Sequence, residues 1–239
     1  MKIHVFTIVW NEKVMLPFFL RHYETFADRI FVIDNGSTDK TAEIAKAHDK
    51  VTLLNFDCVY KFDNDSFEYD FNKFFTDSSK KYSRGVADWV MCVDADEFIY
   101  HPDMKNHLDL ERKKGVRIIK PTAYQMVSKK NPETTGQIYE ECFLGVRSRG
   151  YDKPVIFDPK LDMVFGVGRH KLISPGGVKQ TRAKLSLLHY RYISRDYFIE
   201  RSNITWERKN FTQEFKNYRM ARGLKFYDDA INSDLVKVI

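Results

Sequence analysis

Three times within its first hundred residues this chain runs through a short apolar segment and stops on carboxylates or amides. Lys2–Val9 leads into Asn11-Glu12, Arg29–Asp34 into Asn35-Gly36-Ser37-Thr38-Asp39, and Asp88–Asp94 into Ala95-Asp96-Glu97. Short continuous apolar runs read as strands buried on both faces, the habit of a parallel sheet with helices packed above and below it. Segments of helical spacing lie between them: Lys13–Ala27, Lys40–His48 and the aromatic-rich Phe67–Val86, with one more short strand at Val51–Asn55. A Ser or Thr of the 35–39 cluster is expected to cap the helix that follows. The fold class is therefore α/β, with a mostly parallel front.

Beyond Glu97 the pattern changes. Gly115–Lys120, Lys153–Phe157, Asp162–Phe165 and Lys184–Tyr192 read as strands with few helices between them, expected to extend the sheet edge in mixed or antiparallel fashion. Arg195–Arg208 reads as a helix; the tail beyond Asn210 carries no assignable pattern. With 239 residues, 43% of them hydrophobic, the chain has material for one core, so residues 1–239 are expected to form a single domain. No stretch approaches the roughly 20 apolar residues of a membrane span. The first strand stops at Asn11-Glu12-Lys13 without a small-residue cleavage site, unlike a signal peptide. Cys58, Cys92 and Cys142, odd in number and far apart, suit neither a full disulfide framework nor a zinc cluster, so a reducing, cytoplasmic compartment is expected.

The formal charge of +6 is unevenly spread: Lys179–Lys225 holds twelve basic residues against four acidic ones, and the rest is slightly acidic. Aromatics interleave with these cations, from Tyr190 to Tyr218. The bland account is a solvated helix face over an aromatic core. The sharper one is an anionic partner, of which a nucleoside diphosphate or an acidic membrane surface fits better than nucleic acid, since no RNA-binding motif is present.

In an open parallel sheet, ligands collect beyond the carboxyl ends of the strands, where all three polar clusters fall. Each alone is an ordinary turn or helix cap; three in register point to a site. Asp94-x-Asp96 carries the most chemistry, because two carboxylates at one strand end can share a hard cation, Mg²⁺ or Mn²⁺, whose other positions a phosphate-bearing substrate fills.

These motifs, Val32-Ile33-Asp34-Asn35-Gly36-Ser37-Thr38-Asp39 and the later Asp94-Ala95-Asp96-Glu97-Phe98, resemble those of family-2-like glycosyltransferases with the GT-A fold. Lys153-Pro154, Gly168-Arg169-His170 and Leu188-His189-Tyr190 extend the likeness to the small bacterial transferases of surface-polysaccharide synthesis. The resemblance implies a nucleotide-sugar-binding half, 1–100, and an acceptor-binding half, 101–239. It implies transfer from a nucleoside diphosphate sugar, most plausibly of UDP, to a hydroxyl of a glycan or lipid-linked acceptor. On it, Asp34 meets the base, Asn11, Glu12, Asn35 and Ser37 frame base and ribose, Asp94 touches ribose or metal, and Asp96 is the main metal ligand. A histidine completes the metal site; His170, behind the flexible Gly166-Val167-Gly168, is preferred to His189 in its apolar run. Arg84 is placed at the diphosphate or on the surface. For a general base, Glu140 is preferred to Glu141, Asp152 and Glu97. The basic C-terminal segment is read as a peripheral contact with the inner membrane face.

Two competing readings are a sugar-phosphate nucleotidyltransferase, which needs a glycine-rich loop after the first strand that Thr7–Glu12 does not supply, and a non-catalytic protein gripping RNA or a membrane. The same lack of a Walker or dinucleotide glycine motif excludes ATPase and dehydrogenase readings.

Overall fold

A computed structural model of the chain describes residues 1–56, 64–166, 172–173, 176–182, 184–208 and 212–239, the side chains of 64–71 and 207–208 excepted. In the front half, strands β1 (Ile3–Val9), β2 (Arg29–Asp34), β3 (Val51–Asn55) and β4 (Trp89–Cys92) alternate with helices α1 (Leu16–Tyr23), α2 (Thr41–Lys46) and α3 (Asn64–Ser83). There follow β5 (Glu97–Tyr100), α4 (Met104–Lys113), β6 (Ile118–Ile119), β7 (Thr122–Val127), β8 (Leu144–Arg147), β9 (Ile156–Phe157), β10 (Val164–Phe165), β11 (Leu172–Ile173), β12 (Gln180–Thr181), β13 (Ser186–Tyr192), α5 (Arg195–Arg208), α6 (Gln213–Ile231) and β14 (Val236–Lys237).

The main sheet runs β12-β6-β9-β4-β1-β2-β3, and β3, β2, β1 and β4 are mutually parallel. Alternation along these strands sends Ile3, Val5, Trp89 and Met91 to one core, with Leu16 and Phe19 of α1, and Phe6, Val90 and Cys92 to the other, with Phe75 of α3. That two-sided burial is why the strands read as unbroken apolar runs. Strand order reverses between β1 and β4, so a crevice opens there beyond their carboxyl ends.

The back half departs from expectation in its layout. β9, β6 and β12 do extend the main sheet, and β9 pairs antiparallel to β4. A second sheet runs β14-β8-β7-β13-β5, in which β13 is parallel to β7 and antiparallel to β5, while β10 pairs antiparallel with β11 in a separate two-stranded ribbon, so Asp162–Phe165 does not extend the edge of the main sheet. The unassigned tail is α6, and α4 fills a stretch where no helix was expected. The helix of the 35–39 cluster is not capped by Ser37 or Thr38: Lys40 is the cap residue without a side-chain bond, and both hydroxyls turn to Asn11 instead. Cys92 and Cys142 are buried, while Cys58 lies outside the described residues. Among the described residues no helix is long and apolar enough to cross a membrane.

Candidate active site

The rim of the crevice is stitched from the ends of β1 and β2. Asn11 holds φ at +54°, a left-handed conformation that Asn tolerates better than most residues. From there its backbone N–H donates to Ser37 Oγ at 3.0 Å, and its Oδ1 accepts from the N–H groups of Thr38 and Asp39 at 2.8 and 3.3 Å. Ser37 N–H donates to Asp34 Oδ1 at 3.1 Å, and Gly36, at φ +71°, makes that tight turn possible. Asn35 N–H is bonded to Val9 O at 3.0 Å. Asn11, Asp34, Asn35 and Ser37 thus form one continuous polar edge.

The acidic turn stands beside it, between β4 and β5. Glu97 closes the turn: its N–H donates to Asp94 O at 3.0 Å, and its Oε2 accepts from Asp94 N–H at 3.1 Å. Glu97 is fully buried and its Oε1 lies 2.5 Å from Lys153 Nζ, which also reaches within 3.7 Å of Asp94 Oδ2. The antiparallel register of β13 on β5 sets His189 opposite Glu97. Tyr190 N–H continues the pairing by donating to Asp96 O at 2.8 Å, and His189 Nε2 comes 3.3 Å from Asp96 Oδ2. Burial is the largest single influence on the Asp96 carboxyl and raises its pKa, but the charge and hydrogen bond of His189, with the Arg191 charge, pull the other way and the group lies below its ordinary value. Tyr151 packs on the His189 imidazole, ring centroids 4.6 Å apart.

This donor set suits a hard divalent cation. Ligand atoms at about 2.1 Å from Mg²⁺ or a similar distance from Mn²⁺ approach one another to about 3 Å, close to the observed Nε2–Oδ2 separation. Asp94, on the same turn, keeps its side chain 38% exposed. Among the described residues no three His, Cys, Asp or Glu side chains are grouped to hold a metal ion, so a cation at the Asp96–His189 pair would take its other ligands from substrate and water.

A third wall comes from α5. Arg201 reaches back to Glu12, forming an ion pair between residues 189 positions apart. Burial pushes the Glu12 carboxyl up to about 7; the Arg201 guanidinium pulls against this, and the nearby Asp96 and Asp94 charges add to it. Asn11, Glu12, Lys13, Val14 and Asp39 on one side and Tyr197, Glu200, Arg201 and Ile204 on the other line a cavity of about 160 Å³.

The sequence model of glycosyl transferase family 2 matches residues 4–176. The chain belongs to this family. Among solved structures, S. aureus TarS aligns with 94% of this chain and 43% of its own length, at a TM-score of 0.51 and 14% identity. TarS 1–349 in complex with UDP-GlcNAc gives a TM-score of 0.47 and 15% identity over 94% of this chain and 72% of that one. The chain therefore spans less than half of the longer TarS structure, and the likeness is one of fold, the GT-A type. Comparison with the curated proteins returned no match.

Within this family-2 fold, the structure gathers Asn11, Glu12, Asp34, Asn35, Ser37, Asp94 and Asp96 at one crevice. Arg84 is elsewhere. It follows α3 and precedes β4, which puts it at the amino edge of the sheet, where its Nη2 pairs with Asp162 Oδ1 at 2.7 Å. Glu140 is also not at the crevice. It is exposed at the end of a turn (Ile138–Glu140) whose Tyr139 packs against His22 and Tyr100. Tyr190 points to that side, donating to Cys142 O at 3.2 Å, whereas its neighbour His189 points to the acidic turn. Of the other carboxylates considered, Asp152 is buried between Arg147 and Arg182, Glu97 is held by Lys153, and Glu141 is exposed and accepts from Glu133 N–H at 3.0 Å. His170 lies outside the described residues.

Sequence reasoning passed over Lys153, Tyr151, Arg191 and Arg201 as site residues. Lys153 was visible only as half of a Lys-Pro pair, and Arg191 and Arg201 only as members of a basic run. Their roles depend on pairings across the fold that local pattern does not encode.

Proposed function

We propose that this chain transfers a glycosyl unit from a nucleoside diphosphate sugar, most simply a UDP-sugar, to a hydroxyl of a glycan or lipid-linked acceptor in surface-polysaccharide synthesis. The observation that carries the reading is the meeting of Asp96 and His189 at the switch point of a family-2 sheet, beside the Asp34 rim. Asp34 accepts a hydrogen bond from the base, while Asn11 and Ser37, bonded to one another, keep that edge in shape for the ribose. Asp96 and His189 would hold Mn²⁺ or Mg²⁺ together with the diphosphate of the substrate, with Asp94 on the same turn adding negative charge. When bound, the cation acts as a Lewis acid that stabilises charge gathering on the departing diphosphate. Arg191, close enough to Asp96 to act on its charge, adds positive potential on the same side. The Glu97–Lys153 pair fixes the backbone of the acidic turn, so the two aspartates are arranged before substrate arrives.

Calorimetric titration with UDP tests this. Binding is expected to need Mn²⁺ and to be lost in Asp96→Asn while the thermal midpoint is kept. Equal UDP affinity with and without metal, in both proteins, overturns the metal assignment; no UDP, GDP or dTDP binding under any condition overturns the donor class.

A further inference from the structure

The first half of α6 is exposed on nearly every side. From Gln213 to Arg222 no residue is buried, whereas Gly223, Tyr227 and Ala230 are, and Phe226 packs on Tyr192 with ring centroids 4.6 Å apart. Phe215 and Tyr218 are 40% and 58% exposed, three residues apart and so on one side of the helix. Arg219 and Arg222 lie at the next turns of that side, and the Arg219 guanidinium stands 5.9 Å from the Phe215 ring centroid. Lys225 flanks the same stripe. Large aromatics half-exposed to solvent and flanked by long cations match the boundary between lipid headgroups and acyl chains, where the rings enter and the cations stay with anionic headgroups.

We propose that this face of α6 docks on an anionic lipid bilayer. Charge complementarity selects the occupant. A second copy meeting the same face about a two-fold axis sets arginines against arginines, and a lone convex helix offers none of the grooved track that a nucleic-acid strand follows. The position also suits the purpose. Tyr197, Glu200, Arg201 and Ile204 of α5 line the crevice, and four residues separate the end of α5 from the start of α6. Docking through α6 would hold the crevice near a bilayer that carries a lipid-linked hydroxyl. That purpose rests on the proposed transfer reaction; the surface itself does not.

Co-sedimentation of the full chain with vesicles of phosphatidylcholine, with and without phosphatidylglycerol, tests the proposal. Binding is expected only with the anionic lipid and to weaken as salt rises. Arg219→Gln with Arg222→Gln is expected to weaken it about 30-fold, at roughly fivefold per cation. Phe215→Ser with Tyr218→Ser is expected to weaken it as well, and both variants should keep the wild-type thermal midpoint and UDP affinity. Equal binding to neutral vesicles, no binding to either, or unchanged binding by both variants overturns it, as does concentration-dependent dimerisation that the variants abolish. UDP titration of the same samples separates failure of docking from failure of the donor reading.

Discussion

Lys153 Nζ sits 2.5 Å from Glu97 Oε1 and 3.7 Å from Asp94 Oδ2, a buried ammonium beneath the acidic turn. Its burial is nearly complete, as is that of Glu97, so each is the other's counter-charge in a place that water does not reach. The turn that presents Asp94 and Asp96 is thereby held from below by a buried ion pair.

Removing one member alone should be severe. Lys153→Met leaves the Glu97 carboxylate buried without its cation, which costs about 3–5 kcal/mol. Chemical denaturation should show that loss. Lys153→Met with Glu97→Met should recover most of it, since an apolar pair of similar volume avoids the desolvation penalty. The double variant should still bind UDP poorly, because the Oε2 that accepts from Asp94 N–H is gone.

The same counter-charges govern metal removal. Asp94 shares the Lys153 ammonium, and Asp96 keeps the His189 Nε2 within 3.3 Å, so neither acid lacks a polar neighbour when the cation is removed. Treatment with a chelator is expected to abolish sugar transfer and leave the thermal midpoint unchanged. A drop of several degrees would mean that the cation is part of the folded scaffold.

His22 makes acid stability predictable. Its Nε2 donates to Ile99 O at 2.9 Å, its Nδ1 has no partner among the described residues, and Tyr23, Phe26, Phe98 and Tyr139 enclose the ring. Burial lowers its pKa to about 4. Between that value and the ordinary 6.5 the unfolded chain binds a proton that the folded chain refuses, so stability falls as pH drops through this window. The loss at pH 4.5 relative to pH 7 should be about 2–3 kcal/mol. Denaturation curves of His22→Gln, which keeps a donor for Ile99 O, should show a flatter acid limb.

Much of this molecule is legible in its sequence where residues near one another share a task. β1, β2 and β4 announce themselves because both of their faces are buried, and the Asp34 and Asp94–Asp96 clusters sit at their ends. β7 and α4 do not. Thr122–Val127 alternates without a clean apolar stripe, and Met104–Lys113 buries only Met104, Leu108 and Glu111. His189 shows the limit most clearly. Flanked by Leu188 and Tyr190 it reads as a core residue, and it is indeed buried, but the register of β13 on β5 turns its Nε2 to Asp96. Glu12 and Arg201 meet across almost the whole chain, which no local periodicity records.

Asp34→Ala should separate binding from folding. The carboxylate accepts one backbone N–H, that of Ser37, so its loss should cost about 1 kcal/mol of stability. UDP affinity should fall at least as steeply as in any other rim variant, because the base loses its acceptor and the Ser37 turn loosens together. Unfolding of the variant would show that the side chain serves the fold before the ligand.

The packing of α6 on α5 turns on Gly223. A Cβ there would stand 2.0 Å from Phe198 Cζ and 2.7 Å from its Cε1. The Phe198 ring has little freedom to give way, being buried, stacked on Tyr192 at 5.0 Å and covered by the Arg191 guanidinium at 5.6 Å. Alanine is intrinsically the better helix former by about 1 kcal/mol, so a solvated site would gain from the change. Here the forced displacement should outweigh it, and Gly223→Ala is expected to destabilise by about 1–3 kcal/mol. Phe198→Leu alone should also destabilise, by opening space over Gly223. The two together should lose less than the sum of the singles, a coupling that denaturation of all four proteins in the cycle would measure.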